Sequence, residues 1–345
     1  MNRTSQGFTV RESSEIGYVR RKAAQISEAL GFDSTLAGQV AIIVTEMGTN
    51  LIRHAEGGEL VINSLLRDGS WGIEILSLDQ GKGMRNLQQC MADGFSTGTS
   101  PGTGLGSIQR QATEFDIFSH PELGTAILAS VWPRGKAPRP GDLFTGGVCL
   151  AFPGETQSGD AWSVIHPSPH AYKFLVADGL GHGDKAAEAS REAVTVFERA
   201  ENISLSTTIG KIHQALRKTR GAAVGISEID LEKGSLTFSG VGNISATLCT
   251  PPLQKGIPSS NGIVGHTIHK TSDFLFAWGK DDVLILHSDG LQTRWNLNQN
   301  PAYIGLTLHH PTLLAGVLYR DFRRSNDDCT VVAVKQNPHP LVSYG

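Results

Sequence analysis

The sequence predicts an α/β (α+β) chain in two parts: an N-terminal α/β sandwich of helices on a mainly antiparallel sheet, then a C-terminal β-sandwich flanked by helices. Three observations predict it. The stretch Trp132–Gly141, rich in proline, glycine and basic residues, lies between two apolar strand-like runs and reads as a linker. Before it, helical patterns lead into paired strand patterns; after it, strands dominate and the helices come as a pair. The length of 345 residues suits two domains at roughly 150 residues each. The expected layout is 1–134, a linker at 135–143, and 144–337.

Element by element, Ser13–Leu30 places Ile16, Val19, Ala23, Ile26 and Leu30 on one helical face. Asp33 or Ser34 caps a second helix that runs to about His54. Glu59–Leu66 and Trp71–Leu78 read as strands joined by the turn Arg67-Asp68-Gly69-Ser70. A glycine-rich stretch leads to a short helix from about Leu105, then to strands Glu114–Ser119 and Thr125–Val131. Together these imply a two-layer sandwich. Beyond the linker, strands are expected at Ala161–Ile165, Tyr172–Ala177, Ala222–Asp230, Ser235–Val241, Asp282–Ser288 and Thr330–Val334. Helices are expected at Asp184–Arg199 and Ser206–Thr219.

Composition narrows the classes. A net charge of −3 gives no basic footprint for nucleic acid or anionic membrane. No run of about 18 apolar residues predicts a membrane span, and MNRTSQGFTV lacks the apolar core of a signal peptide. The four cysteines stand alone, with no CxxC pair, which favours a reduced, cytoplasmic protein. Glycine is in excess, 40 residues against a usual level of about 7%. Without a three-residue period, and with apolar runs between the glycines, neither collagen nor a disordered linker fits.

Two constellations carry chemistry. In the first, Glu46 and Asn50 stand four apart on one helical face, a carboxylate able to take a proton beside an amide oxygen suited to Mg²⁺. Asp79-Gln80-Gly81-Lys82-Gly83 follows a strand, Gly102-Thr103-Gly104-Leu105-Gly106 opens a helix whose backbone N–H groups can hold phosphates, and Gly124-Thr125 starts the last strand. Any one of these is a common turn; the ordered set is not.

With Arg53-His54-Ala55, the set resembles the GHKL ATP-binding fold of the RsbT/RsbW-like serine kinases of bacterial partner switching. The resemblance implies Glu46 as catalytic base, Asn50 as Mg²⁺ ligand and Asp79 as acceptor of the adenine amino group. It implies that Gly81 and Gly83 let the backbone approach the nucleotide, that Gly94–Thr103 forms a lid, and that Gly102, Gly104, Gly106 and Thr125 line the ATP site. No phosphoacceptor or dimerisation helix of a histidine kinase is present in the sequence.

In the second constellation, Asp160, Asp178, Asp289 and the pair Asp327-Asp328 lie at strand ends or beside small residues. Such carboxylates, with no Cys or His partner set, suit Mg²⁺ or Mn²⁺, and two such ions can present a bridging hydroxide to a phosphate. The alternative for each motif alone is ordinary Asp-Gly turn chemistry. Gly159-Asp160-Ala161-Trp162, the run Ala177–Gly183, Ser288-Asp289-Gly290 and Asp327-Asp328-Cys329-Thr330 resemble the SpoIIE/RsbX-like branch of metal-dependent protein serine/threonine phosphatases. Arg220-Gly221-Ala222 and Gly240–Asn243 support the match. The resemblance implies two Mn²⁺ or Mg²⁺ ions held by Asp160, Asp178, Asp289 and Asp327, with the Gly179 carbonyl; whether Asp327 or Asp328 is the ligand stays open. His182 reads as a loop residue, His309 and His310 as surface, and Trp162 and Trp278 as core or cleft walls.

The expected function is a bifunctional regulator that phosphorylates a partner with ATP and Mg²⁺ and dephosphorylates it with the second metal site. The resemblance points to a STAS-domain anti-sigma-factor antagonist as substrate, with a sigma factor or a stressosome-like regulator as further partners. Two alternatives stand beside it: a phosphatase whose ATP domain only senses nucleotide, and a non-enzymatic module that sequesters a sigma factor. Oligomeric state is open, since RsbW/RsbT-like domains often pair as homodimers.

Overall fold

The computed structural model describes residues 5–67, 69–91, 104–133, 143–269 and 271–336. The chain forms two compact units, one of Ser5–Arg139 with Ala302–Arg320, the other of Pro140–Pro301 with Asp321–Gly345. Residues 302–320, which lie inside the expected segment 144–337, group with the first of these units. Most of the expected linker lies outside the described residues.

The first unit runs β1 (Ser5–Val10), α1 (Ser13–Ala29), α2 (Ser34–Ala55), β2 (Gly58–Arg67), β3 (Ser70–Leu78), α3 (Leu87–Met91), α4 (Gly104–Gln111), β4 (Glu114–His120) and β5 (Gly124–Val131). Its sheet has the order β1-β2-β3-β5-β4, antiparallel throughout. Asp33 is the cap of α2, its Oδ1 accepting from the Leu36 N–H at 2.8 Å. Val40, Ile43, Val44, Met47 and Leu51 recur at helical spacing on α2 and are buried with Ile62, Ile73, Ile75 and Ile127 of the sheet. Among the described residues α2 is the one helix long and apolar enough to cross a bilayer, yet its apolar stripe packs on this sheet.

The second unit contains β6 (Leu143–Leu150), β7 (Asp160–Ser168), β8 (Ala171–Gly179), α5 (Asp184–Glu198), α6 (Leu205–Ala215), β9 (Ala222–Asp230), β10 (Ser235–Val241), β11 (Ser245–Thr250) and β12 (Leu253–Ile257). A small ribbon of β13 (Gly262–Ile263) and β14 (Thr267–Ile268) precedes β15 (Phe274–Ala277) and β16 (Val283–His287). A helix α7 (Pro311–Phe322) then separates β16 from β17 (Cys329–Gln336). Two five-stranded antiparallel sheets result, ordered β15-β10-β9-β8-β7 and β12-β11-β16-β17-β6. Their facing side chains, including Trp162, Phe174, Phe238, Leu286 and Val332, form one core, and Trp278 belongs to it. On the outer face of β7, β8 and β9, α5 and α6 bury Ala189, Ala193, Phe197, Ile209 and Ile212. This is the expected β-sandwich with flanking helices.

The first unit is not two-layered. Residues along β3 alternate: Ile73 and Ile75 face the core of α1 and α2, while Glu74, Leu76 and Leu78 point to the opposite face. Helix α7 lies on that second face. A Cβ added at Gly316 would sit 3.3 Å from side-chain atoms of both Leu76 and Leu78. Thr312 Oγ1 donates to Glu74 Oε2 at 2.9 Å, and the Tyr319 hydroxyl to Glu59 Oε1 at 3.1 Å. His309 and His310, expected at the surface, are half-buried before α7. His309 Nδ1 lies 2.9 Å from Asp116 Oδ1, and the His310 N–H donates to Asp116 Oδ2 at 2.6 Å. Burial alone would push Asp116 up; its bonds and charge interactions with His309 and His310 bring it below the usual carboxylate value.

Candidate functional site

In the first unit, helical spacing on α2 sets Glu46 and Asn50 one turn apart, both half-buried. The start of α4 closes over them: a Cβ at Gly104 would be 3.2 Å from Glu46 Oε2 and 3.5 Å from Asn50 Oδ1. The N-terminal N–H groups of α4, with Gly106 buried in its first turn, therefore open beside the two polar side chains. Gly102 and the expected lid Gly94–Thr103 lie outside the described residues, apart from the adjoining Gly104.

Asp79 follows β3, and its main-chain N–H donates to Thr125 O at 2.9 Å. Its Oδ1 accepts from the N–H groups of Gly81 and Thr125 at 2.9 and 3.0 Å, leaving Oδ2 as the oxygen with capacity for a ligand amine. Gly124 makes this approach with φ +78°, a left-handed conformation. Burial pushes Asp79 above the usual carboxylate value, against the two backbone bonds and the positive charges of Arg320 and His54. At Gly81 an added Cβ would meet Ala55, and at Gly83 it would meet the His120 backbone. Their close packing is against the chain itself. Sequence reasoning passed over Arg320, whose Nη1 donates to the Asp79 carbonyl oxygen at 2.8 Å from 241 residues away. No local pattern marks such a pairing.

In the second unit the acidic positions converge. Asp160 and Asp178 are directly paired across β7 and β8. Asp160 is buried; its Oδ2 accepts from Ser288 Oγ at 2.6 Å, while its Oδ1 is buried with no hydrogen-bond partner. Burial, then the charges of Asp328 and Asp327, push Asp160 up to about 7, with Ser288 opposing. Burial, then the charges of Asp160, Asp289 and Asp327, push Asp178 up to about 9. Asp327 is raised too, by burial first and then by Asp289. Carboxylates that oppose one another's ionisation beside an orphaned buried oxygen fit a hard divalent cation, which supplies the missing positive charge and takes oxygen ligands.

The Asp327-Asp328 pair divides in its partners. Asp328 Oδ1 and Oδ2 accept from the N–H groups of Phe152 and Gly159 at 2.7 and 3.0 Å, so this side chain clamps the loop before β7. Asp327 Oδ1 accepts the adjacent Asp328 N–H. The loop of the Ala177–Gly183 run is anchored by Gly179 N–H to Gly159 O at 3.1 Å and Leu180 N–H to Gly221 O at 3.0 Å. From the other supporting piece, Asn243 Nδ2 donates to Asp289 Oδ2. His182 is an exposed loop residue as expected, but tied down: Nδ1 lies 2.8 Å from Glu155 Oε1 and the ring stacks on Phe152.

One further donor group was not legible in the sequence. Glu74, Glu114 and His310 in the first unit bring ligand-type atoms within 4.8 Å of one another. His310 Nδ1 accepts from the Thr312 N–H at 3.2 Å, which puts the proton of the neutral ring on Nε2. With no lone pair there, the group reads as a polar patch rather than a metal centre.

Residues 11–131 match the histidine kinase-like ATPase domain, and residues 168–337 match stage II sporulation protein E (SpoIIE). Serine/threonine-protein kinase RsbT of Bacillus subtilis (strain 168) is 30% identical over 120 residues, which cover 35% of this chain and 90% of RsbT. Phosphoserine phosphatase RsbX of the same organism is 30% identical over 117 residues, 34% of this chain and 59% of RsbX. A solved structure titled "The bacterial stressosome: a modular system that has been adapted to control secondary messenger signaling" is 26% identical, with a TM-score of 0.51, covering 56% of this chain and 99% of its own. The chain thus belongs to the RsbT-like histidine kinase-like ATPases through its first part and carries a SpoIIE-type phosphatase domain in its second.

Proposed function

We propose that the chain is a bifunctional partner-switching regulator that both phosphorylates and dephosphorylates a serine or threonine on a STAS-domain partner. The observation that carries the phosphatase half is the acidic centre, with Asp160 Oδ1 buried without a partner among carboxylates raised by one another. In this reading Asp160, Asp178, Asp289 and Asp327, with the Gly179 carbonyl, hold two Mn²⁺ or Mg²⁺ ions, and Asp328 holds the loop that carries Asp160. Divalent ions in such a centre lower the pKa of bound water and offset charge on a phosphoryl group. The chain's own part is to fix the carboxylates before binding: Ser288 orients Asp160, Asn243 orients Asp289, and β7 and β8 set Asp160 against Asp178.

In the first half, Glu46 takes the proton of the partner's hydroxyl, Asn50 holds Mg²⁺, Asp79 accepts the adenine amino group, and the backbone at Gly104 and Gly106 receives phosphate oxygens. Placement of Glu46 and Asn50 under Gly104 supports this assignment. Four free cysteines support a cytoplasmic location.

The test incubates the chain with STAS-domain proteins, ATP and Mg²⁺, with and without Mn²⁺, and follows phosphate by intact mass. Glu46→Ala is expected to abolish transfer and spare hydrolysis; Asp178→Ala is expected to lower hydrolysis by more than about 100-fold and trap the phosphorylated partner. Hydrolysis that survives Asp178→Ala sinks the phosphatase assignment. Residues 302–320 inside the nucleotide unit favour a second reading, in which nucleotide is sensed and only hydrolysis is catalysed. Phosphate transfer lost in Glu46→Ala rules that reading out.

A further inference from the structure

Within the second unit, Asp160 opens β7, Gly179 ends β8 and Ala222 opens β9, and the register sets Asp160 against Asp178 and Gly179 against Ala222. The same end of the sheet therefore carries Arg220, two residues before β9. Its backbone is held from both sides. The Arg220 carbonyl oxygen lies 2.9 Å from His266 Nε2, and Ala222 and Val264 exchange two backbone bonds of 2.9 Å. Opposite them, the Leu180 N–H donates to Gly221 O at 3.0 Å. Gly221 joins these anchors with φ +77°, where a Cβ would meet Val264 O at 2.7 Å. The Arg220 side chain is exposed and reaches the loop that follows Asp178: a Cβ at Gly181 would be 3.0 Å from Arg220 Nη1. That loop in turn touches the acidic centre, since a Cβ at Gly159 would be 3.3 Å from Gly181 O and 2.7 Å from Asp328 Oδ2.

The carboxylates do not use this cation. Asp160 takes its bond from Ser288, Asp289 from Asn243, and Asp328 from the N–H groups of Phe152 and Gly159. Among the described residues no hydrogen bond or ion pair occupies the Arg220 guanidinium. A pinned backbone that presents an uncommitted guanidinium beside an acidic centre suits an anion arriving from outside. We infer that Arg220 binds the phosphoryl group of the substrate, its planar fork pairing with phosphoryl oxygens. The inference rests on the phosphatase half of the proposed function. A phosphoserine or phosphothreonine ester brings about two negative charges near neutral pH and three acceptor oxygens, and a guanidinium meets such oxygens through parallel, charge-assisted bonds. That charge is present in the ester before reaction as well as during it. The contact therefore acts on KM more than on kcat.

The experiment uses the full chain with saturating Mn²⁺, p-nitrophenyl phosphate as substrate and inorganic phosphate as competitor, two probes that carry the phosphoryl group without a peptide. Arg220→Gln is expected to raise KM for the ester and the inhibition constant of phosphate by about tenfold or more, with kcat changed by less than about threefold. Its Mn²⁺ affinity by calorimetry and its melting temperature are expected to match wild type. Arg217→Gln removes the same charge three residues earlier, from another exposed side chain, and is expected to leave both constants unchanged. Unchanged constants in Arg220→Gln overturn the inference, because Arg220 then meets the partner's peptide or nothing. An equal rise in Arg217→Gln also overturns it, since a diffuse field then accounts for the effect. If Arg220→Gln melts lower or binds Mn²⁺ more weakly, the unsubstituted chain decides. Inorganic phosphate with Mn²⁺ is expected to slow modification of Arg220 by phenylglyoxal about tenfold, and not that of Arg217, in peptide mass maps; an unprotected Arg220 overturns the inference. A wild-type chain that hydrolyses neither this ester nor any phosphorylated STAS-domain protein removes the phosphatase reading itself, and the inference with it.

Discussion

At the scale of single residues, adjacent carboxylates separate by what they touch. Asp328 receives two backbone N–H groups from a distant loop, and Asp327 receives its neighbour's. Asp328→Ala is therefore expected to leave two donors unsatisfied, at about 1–3 kcal/mol each, and to lower the melting temperature even with metal absent. Asp327→Ala is expected to weaken Mn²⁺ binding, read by calorimetry, with the chelator-treated melting temperature nearly unchanged. The reverse pattern would exchange their assignments. Asp160 and Asp178, raised to about 7 and about 9, also set a pH dependence. Without metal, the folded chain retains protons here that the unfolded chain releases near the ordinary value of 3.8. Their contribution to stability is complete below that value and is lost as pH rises through 7 and then 9. Chelator-treated protein is thus expected to melt lower at about pH 8.5 than at about pH 6, with a smaller difference in Asp178→Asn. An equal difference in Asp178→Asn counts against the assignment. These carboxylates were legible in the sequence because each ends a strand beside a glycine or small residue. The bonds that tell Asp327 from Asp328 were not, since both partners lie about 170 residues away, at Phe152 and Gly159.

At the scale of elements, amphipathic segments and short apolar strand runs such as Thr125–Val131 were readable, and a helix buried along most of its length was not. The apolar face of α1, and α2 with its Asp33 cap, emerged from spacing and end signals, as did β2, β3, β9 and β10. Helix α7 escaped because Pro311–Tyr319 is buried throughout and has no polar stripe to betray its period. Strand β1 escaped because Ser5–Val10 is a short edge strand containing a glycine and pairing only with β2. Helix α3 has only five residues, too few for periodicity to register. The fit of α7 on its sheet is testable directly. Gly316→Val forces side-chain atoms against Leu76 and Leu78, which a Cβ alone would approach to 3.3 Å, and is expected to cost about 1–3 kcal/mol in urea unfolding. Unchanged stability would place α7 away from β3.

At the scale of the whole molecule, the linear boundary near residue 140 is not where the nucleotide unit ends. That unit is completed by residues 302–320, which cover Leu76 and Leu78 and partner Glu59, Glu74 and Asp116. A chain cut to residues 1–134 loses that cover and is expected to self-associate, or to melt well below the first unit of the full chain, by light scattering and calorimetry. A monomeric fragment of undiminished stability would argue that the cover is dispensable. Biosynthesis gives the same feature another consequence. A ribosome that has released Arg139 must add about 180 further residues before Arg320 exists, a delay on the order of 10–40 s at typical bacterial elongation rates. The part of the chain translated first is then the last to be finished, because the face of its sheet that carries Leu76 and Leu78 stays uncovered until most of the second unit has been made.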